Sequence, residues 1–153
     1  MKKRLKAIVC GTNFGEFYLK ALKSAESDFQ IAGIIGRGSE RSKTLSKKYN
    51  VPLYFNVEEL PSDIDLACVI VRSEGTGGDG TELCIDLLNK GINVIQEQPV
   101  YQEHLYKCYK LAREKNLIYL TANLYSLVKI IELMVAYRRY FKASEEVVNE
   151  ENA

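Results

Sequence analysis

Three observations in the 153-residue sequence predict an α/β fold built on a doubly wound parallel sheet. Short apolar runs alternate with helical periodicities along the chain. A glycine turn joins the first of these runs directly to the first helical pattern. Residues 65–71 (DLACVIV) are apolar without alternation, as in a strand buried on both faces. Six strands alternating with helices imply right-handed crossovers and a parallel sheet, with ligands bound beyond the carboxyl ends of the strands.

The elements follow in order. Residues 5–10 read as a buried strand, and 15–26 as a helix with Phe17, Tyr18, Ala21, Leu22 and Ala25 on one face. A second strand covers 30–35, and a helix runs from about Ser39 to Tyr49. Pro52-Leu53-Tyr54 is a short strand, Val57 to Leu60 a helical turn, and 65–71 the buried strand. A Gly-rich loop, Gly75 to Gly80, enters a helix over 81–90 that Gly91 closes. A strand at 92–96, a helix at 102–115, a strand at 117–121 and a long helix over 125–142 complete the pattern. Residues 1–142 read as one domain and 143–153, rich in Glu and Asn, as a disordered tail.

Composition narrows the class. With 46% hydrophobic and 27% charged residues, neither disorder nor a membrane span is indicated. The apolar run behind Met1-Lys2-Lys3-Arg4 stops at Gly11, too early for a signal peptide, so a cytoplasmic location is expected. Cys10, Cys68, Cys84 and Cys108 form no C-x-x-C pair and read as buried free thiols, with no metal site expected. Residues 1–50 carry eleven Lys/Arg against four Asp/Glu, whereas 51–153 carry ten against sixteen. The basic half attracts a polyanion such as a phosphorylated cofactor. Aromatic residues interleaved with basic ones, the mark of nucleic-acid binding, are not seen.

Gly11-Thr12-Asn13-Phe14-Gly15 is the turn between the first strand and helix. Glycines let a backbone approach a pyrophosphate, whose charge then faces the N–H groups and positive dipole end of the new helix. The spacing departs from G-x-G-x-x-G: Asn13 replaces the second glycine and Gly15 comes one residue early. Asn tolerates left-handed angles, so the turn can survive there. An ordinary tight turn has the same sequence features. After the second strand comes Gly36-Arg37-Gly38-Ser39-Glu40-Arg41-Ser42, where an NAD-preferring fold tends to place Asp or Glu for the ribose hydroxyls. Arg37 and Arg41 offer bidentate donors and Ser39 a hydroxyl, a set suited to the 2′-phosphate of NADP. The alternative is a helix cap, since Ser39 is a good N-cap.

These segments, with Ala67 to Ser73, Gly80-Thr81-Glu82-Leu83 and Gly91 to Val100, resemble the thiazolinyl imide reductases of siderophore biosynthesis. These are a branch of the glucose-fructose oxidoreductase (Gfo/Idh/MocA) superfamily, and the resemblance runs from about Lys6 to Tyr140. It implies an NAD(P)-binding Rossmann domain that takes NADPH, with hydride passing to a thiazoline C=N of an intermediate held on a carrier protein. It also implies cofactor contacts from Gly11, Thr12, Asn13, Phe14, Gly15, Arg37, Ser39, Arg41, Arg72, Ser73, Glu97 and Gln98. Catalytic candidates are Tyr125, as proton donor, Glu97 and Gln98; Pro99 matches a proline that follows a cis bond. Two departures stand out. Gln98 replaces the Lys or His common between Glu and Pro, and the family's second, substrate-shaping domain is missing from this length. His104, the only histidine, reads as a solvated residue or helix partner.

Two readings follow: the nucleotide half of an NADPH-dependent imide reductase, or a stand-alone, non-catalytic NADP-binding module or sensor acting through a partner. The 125–142 helix bears Leu127, Val128, Ile130, Ile131, Leu133, Met134, Val135 and Tyr137 on more than one face. That excess implies coverage by another chain, most simply as a homo-oligomer, or by a further domain. Lys129, Glu132, Arg138 and Arg139 rule it out as a membrane span.

Overall fold

The computed structural model describes residues 3–73 and 78–122. The 125–142 helix, the tail, Tyr125 and the first half of the Gly75–Gly80 loop lie outside them. Six strands are present: β1 Leu5–Cys10, β2 Phe29–Ile35, β3 Leu53–Tyr54, β4 Leu66–Val69, β5 Asn93–Glu97 and β6 Tyr119–Ala122. Between them run α1 Gly15–Ser24, α2 Glu40–Tyr49, α3 Gly80–Asn89 and α4 Gln102–Glu114. All strand pairs are parallel, in the order β3-β2-β1-β4-β5-β6. The predicted doubly wound sheet is therefore the observed fold, with the order reversing between β1 and β4.

The period of two along the central strands divides the core into two layers. Ala7 and Val9 of β1 pack with Leu19, Leu22, Ile34 and Leu45 under α1 and α2. Ile8 and Cys10 face the other way, into a larger cluster with Val69, Leu87, Leu88, Val94, Cys108 and Tyr119 under α3 and α4. Burying one such aliphatic side chain contributes about 1.5–3 kcal/mol. All four cysteines are free and buried.

Helix ends agree with local chemistry. Asn50, Gly91 and Asn116 take positive φ just past α2, α3 and α4. The Ile92 N–H donates to the Leu87 carbonyl and the Gly91 N–H to that of Leu88, at 3.0 Å each, the paired bonds of a Schellman ending. Asn93 ties three strands at their amino ends: its Nδ2 donates to the Asp65 carbonyl at 2.8 Å, and its Oδ1 accepts from the Ile118 N–H at 2.9 Å.

Two expectations need correction. The apolar face of α1 consists of Gly15, Leu19 and Leu22 with Tyr18 half-buried, whereas Phe17 is 59% exposed and Ala21 is exposed. Gly15 lies against Val9, where a Cβ would sit 3.0 Å from its Cγ1, and this contact turns the Leu19 side of the helix inward. The 65–71 run pairs only over Leu66–Val69, because beyond Val69 the chain leaves the ladder toward the loop before α3. The Ile70 N–H still donates to the Cys10 carbonyl at 2.8 Å.

Burial pushes the Cys68 thiol up to about 11 and raises Cys10 further, and burial likewise raises the Tyr18 and Tyr119 phenols. Groups whose folded pKa is raised contribute their full stability below the unfolded value and lose it as pH rises. Stability should therefore hold up to the ordinary thiol value of 9.0 and fall above it. The expected decline is about 1.4 kcal/mol per pH unit for each thiol that ionises only in the unfolded chain. Urea unfolding between pH 7 and pH 11 reads this slope, and a flat profile would contradict it.

Candidate functional site

The carboxyl ends of β1, β2, β4 and β5 converge on one edge of the sheet, and all described candidate residues lie there. Gly11 ends β1 at φ +94°, and a Cβ on it would stand 2.7 Å from the Ile70 carbonyl oxygen. Both the angle and the space demand glycine. Asn13 does not take positive φ: the left-handed step falls on Gly11 alone, so the shortened turn places no strain on the asparagine. α1 starts at Gly15 with Phe14 as N-cap and no side chain capping it, which leaves its first N–H groups available to an anion. Phe14 stacks on Phe17 at 4.8 Å beside the turn.

Arg41, from the first turn of α2, reaches across to this turn. Its Nε donates to the Thr12 carbonyl at 2.8 Å, and its Nη2 to the Asn13 carbonyl at 3.1 Å and to Glu16 at 3.2 Å. Lys48 donates to the other Glu16 oxygen at 2.9 Å and holds that carboxyl below the usual carboxylate range. Glu16 in the first turn favours the helix dipole but would repel an anion placed there. Arg41 and Lys48 offset that repulsion.

Arg37 is 86% exposed and pairs with Asp79, N-cap of α3, at 3.0 Å. Ser39 caps α2, its Oγ accepting from the Ser42 N–H at 3.3 Å. The hydroxyl is thus engaged in the helix start, while the two arginines flank it.

On the β4–β5 side, Ser73 is buried and donates through Oγ to the Pro99 carbonyl at 3.1 Å, which brings the Arg72-Ser73 and Glu97-Gln98-Pro99 segments together. The Arg72 side chain is exposed, and its carbonyl accepts from the Gly80 N–H at 2.8 Å. A Cβ on Gly80 would lie 2.2 Å from the Val71 carbonyl, so the entry to α3 is as close-packed as that to α1. The Gln98–Pro99 peptide is cis. Glu97 Oε1 accepts from the Gln98 N–H and Gln98 Oε1 from the Val100 N–H, both at 3.1 Å. The second Glu97 oxygen accepts a hydrogen bond from the phenol of Tyr18. His104 sits beside Thr81, its Nδ1 3.2 Å from the Thr81 Oγ1, and against the edge of Tyr101.

Tyr18, Glu16, Lys48 and Asp79 are site residues that no sequence motif marks. Periodicity places Tyr18 on the apolar face of its helix, and nothing in the spacing shows that its hydroxyl reaches residue 97. The acidic residues carry no motif of their own. Among the described residues no group of three or more His, Cys, Asp or Glu is arranged to hold a metal ion, and no helix is long and apolar enough to cross a membrane.

The profile of an oxidoreductase family with an NAD-binding Rossmann fold matches residues 5–123. No curated protein matches the chain by sequence. Among solved structures, GenD2 from gentamicin A biosynthesis, in complex with NAD, superposes with TM-score 0.72 at 14% identity, covering 82% of this chain and 36% of its own. Biliverdin reductase from Synechocystis sp., in complex with biliverdin and NADP+, gives 0.70 at 17% identity, covering 80% and 39%. A 3-ketoreductase from Actinomadura kijaniata, in complex with TDP-benzene and NADP, gives 0.71 at 18%, covering 88% and 43%. The chain thus spans less than half the length of these proteins, and at such identities the likeness is one of fold. The glycine cradle, the uncapped α1 and the flanking arginines fit a dinucleotide.

Gly11→Ala should destabilise the protein by at least about 1–2 kcal/mol through the left-handed angle alone, with the clash at Ile70 added. Urea unfolding reads the loss; a neutral substitution would mean that the turn relaxes away from β4.

Proposed function

This chain belongs to the Gfo/Idh/MocA oxidoreductase family, as an NAD(P)-binding domain, and we propose that it takes NADPH and serves a reductase of a thiazoline-type C=N. The observation that carries the NADPH preference is the end of β2. Ile35 is followed by Gly36-Arg37-Gly38-Ser39 with no carboxylate to receive ribose hydroxyls, and the first acid, Glu40, pairs outward with Lys43 at 2.9 Å.

Each residue has a task in this reading. Gly11 to Gly15 and the start of α1 receive the pyrophosphate. Arg41, already bound to the turn carbonyls, lends its charge more than its fork. Arg37, exposed, is the residue able to grip a 2′-phosphate once it releases Asp79. Arg72, Ser73, Glu97 and Gln98 edge the other half of the crevice. When bound, the cofactor supplies a hydride. Reduction of C=N also needs a proton at nitrogen. The Gln98 amide has none to give at neutral pH, and Tyr125, outside the described residues, is the proposed donor. The thiazoline substrate, held on a carrier protein, rests on the resemblance of the quoted segments. Gln98 also favours a second reading, a non-catalytic NADP-binding module working through a partner.

NADPH should bind at least about tenfold more tightly than NADH, because charge-assisted hydrogen bonds contribute about 1.5–3 kcal/mol each. Arg37→Asp should erase most of that preference. Fluorescence titration decides, and equal affinities would overturn the assignment of the loop. With a substrate domain supplied, Tyr125→Phe should slow thiazoline reduction by about 10²–10⁴, followed as NADPH absorbance. An unchanged rate would remove Tyr125 from the mechanism, and no reduction by the parent protein would favour the non-catalytic reading.

A further inference from the structure

One long-range polar contact at this edge, between Tyr18 and Glu97, has no part in the roles above. Tyr18 lies on α1, one turn beyond the glycine turn, and Glu97 is the last residue of β5, so their side chains join elements 79 residues apart. The phenol is half-buried, and burial together with the bond to Glu97 keeps it protonated and therefore a donor. Glu97 has both oxygens engaged, one by Tyr18 and the other by the Gln98 N–H. A carboxylate bound at both oxygens keeps one orientation. An exposed carboxylate at a strand end would sample several.

In a doubly wound sheet the dinucleotide crosses the point where strand order reverses, here between β1 and β4. The adenosine half then belongs to the β1–β2 side, where Arg37 and Arg41 lie, and the nicotinamide half to the β4–β5 side, where Glu97 ends its strand. The Tyr18–Glu97 contact spans these two halves. We propose that Tyr18 is a positioning residue: its hydroxyl, donated from the pyrophosphate helix, fixes the Glu97 carboxylate to accept a hydrogen bond from the nicotinamide carboxamide. The carboxamide NH2 is a donor and an oriented carboxylate its natural acceptor. This rests on the dinucleotide-binding reading above and adds to it the residue that orients the nicotinamide half.

The test compares two probes on the full chain. One is the dinucleotide that the parent protein binds, NADPH or NADH. The other is its fragment lacking nicotinamide, 2′-phospho-ADP-ribose or ADP-ribose. Tyr18→Phe should weaken the dinucleotide about five- to tenfold, reduce the blue shift of bound reduced-nicotinamide emission, and leave the fragment's affinity unchanged. Glu97→Gln should do the same, and the double variant should lose no more than either single change. A purely structural role would weaken dinucleotide and fragment together. That outcome, additive losses, or no loss at all would overturn the inference. If Tyr18→Phe fails to fold, the contrast between dinucleotide and fragment in Glu97→Gln decides, with equal affinities counting against it. Failure of the parent protein to bind any of the four probes would remove the dinucleotide-binding reading itself, and this inference with it.

Discussion

At the carboxyl end of β1 two backbones meet more closely than side chains allow. Gly11 passes beneath the Ile70 carbonyl, and the Ile70 N–H in turn donates to the Cys10 carbonyl. Everything around the site depends on this approach. It lets β1 leave the sheet beside β4, turns the chain left-handed in one residue, and starts α1 with its N–H groups directed at the crevice. Gly15 repeats the device one step later against Val9, which sets the helix close to the sheet and turns Leu19 and Leu22 into the core.

Two of the basic residues of the first half, Arg41 and Lys48, are arranged around this turn. Glu16 suits the helix dipole but opposes an anion, and Arg41 and Lys48 on α2 both bind it. Arg41 also spends its donors on the Thr12 and Asn13 carbonyls, so it braces the turn as much as it attracts phosphate. Arg37 keeps most of its exposure and only an exposed ion pair. Such pairs contribute about 0–1 kcal/mol, which makes it the arginine a ligand can recruit at low cost.

The other half of the edge is built by hydrogen bonds between loops. Ser73 holds Pro99, Glu97 and Gln98 accept from successive backbone N–H groups, and Tyr18 reaches over from α1. The family profile over residues 5–123 is that of an NAD-binding Rossmann fold, and superpositions at 14–18% identity agree with that fold.

Element order, the parallel sheet, the glycine turn and the buried thiols are legible in the amino-acid sequence. Each is encoded locally: apolar runs and periods mark strands and helices, and Gly91 marks a helix end through its tolerance of positive φ. Tertiary structure alone decided which face of α1 is buried, because that depends on where Gly15 meets Val9. It alone decided that Arg41 braces the turn while Ser39 caps its own helix, since the competing roles use the same residue types. And it alone brought Tyr18 to Glu97. A hydrogen bond between residues far apart in the chain leaves no periodicity and no motif, because it is set by the crossing of a helix and a strand that only the folded sheet brings together.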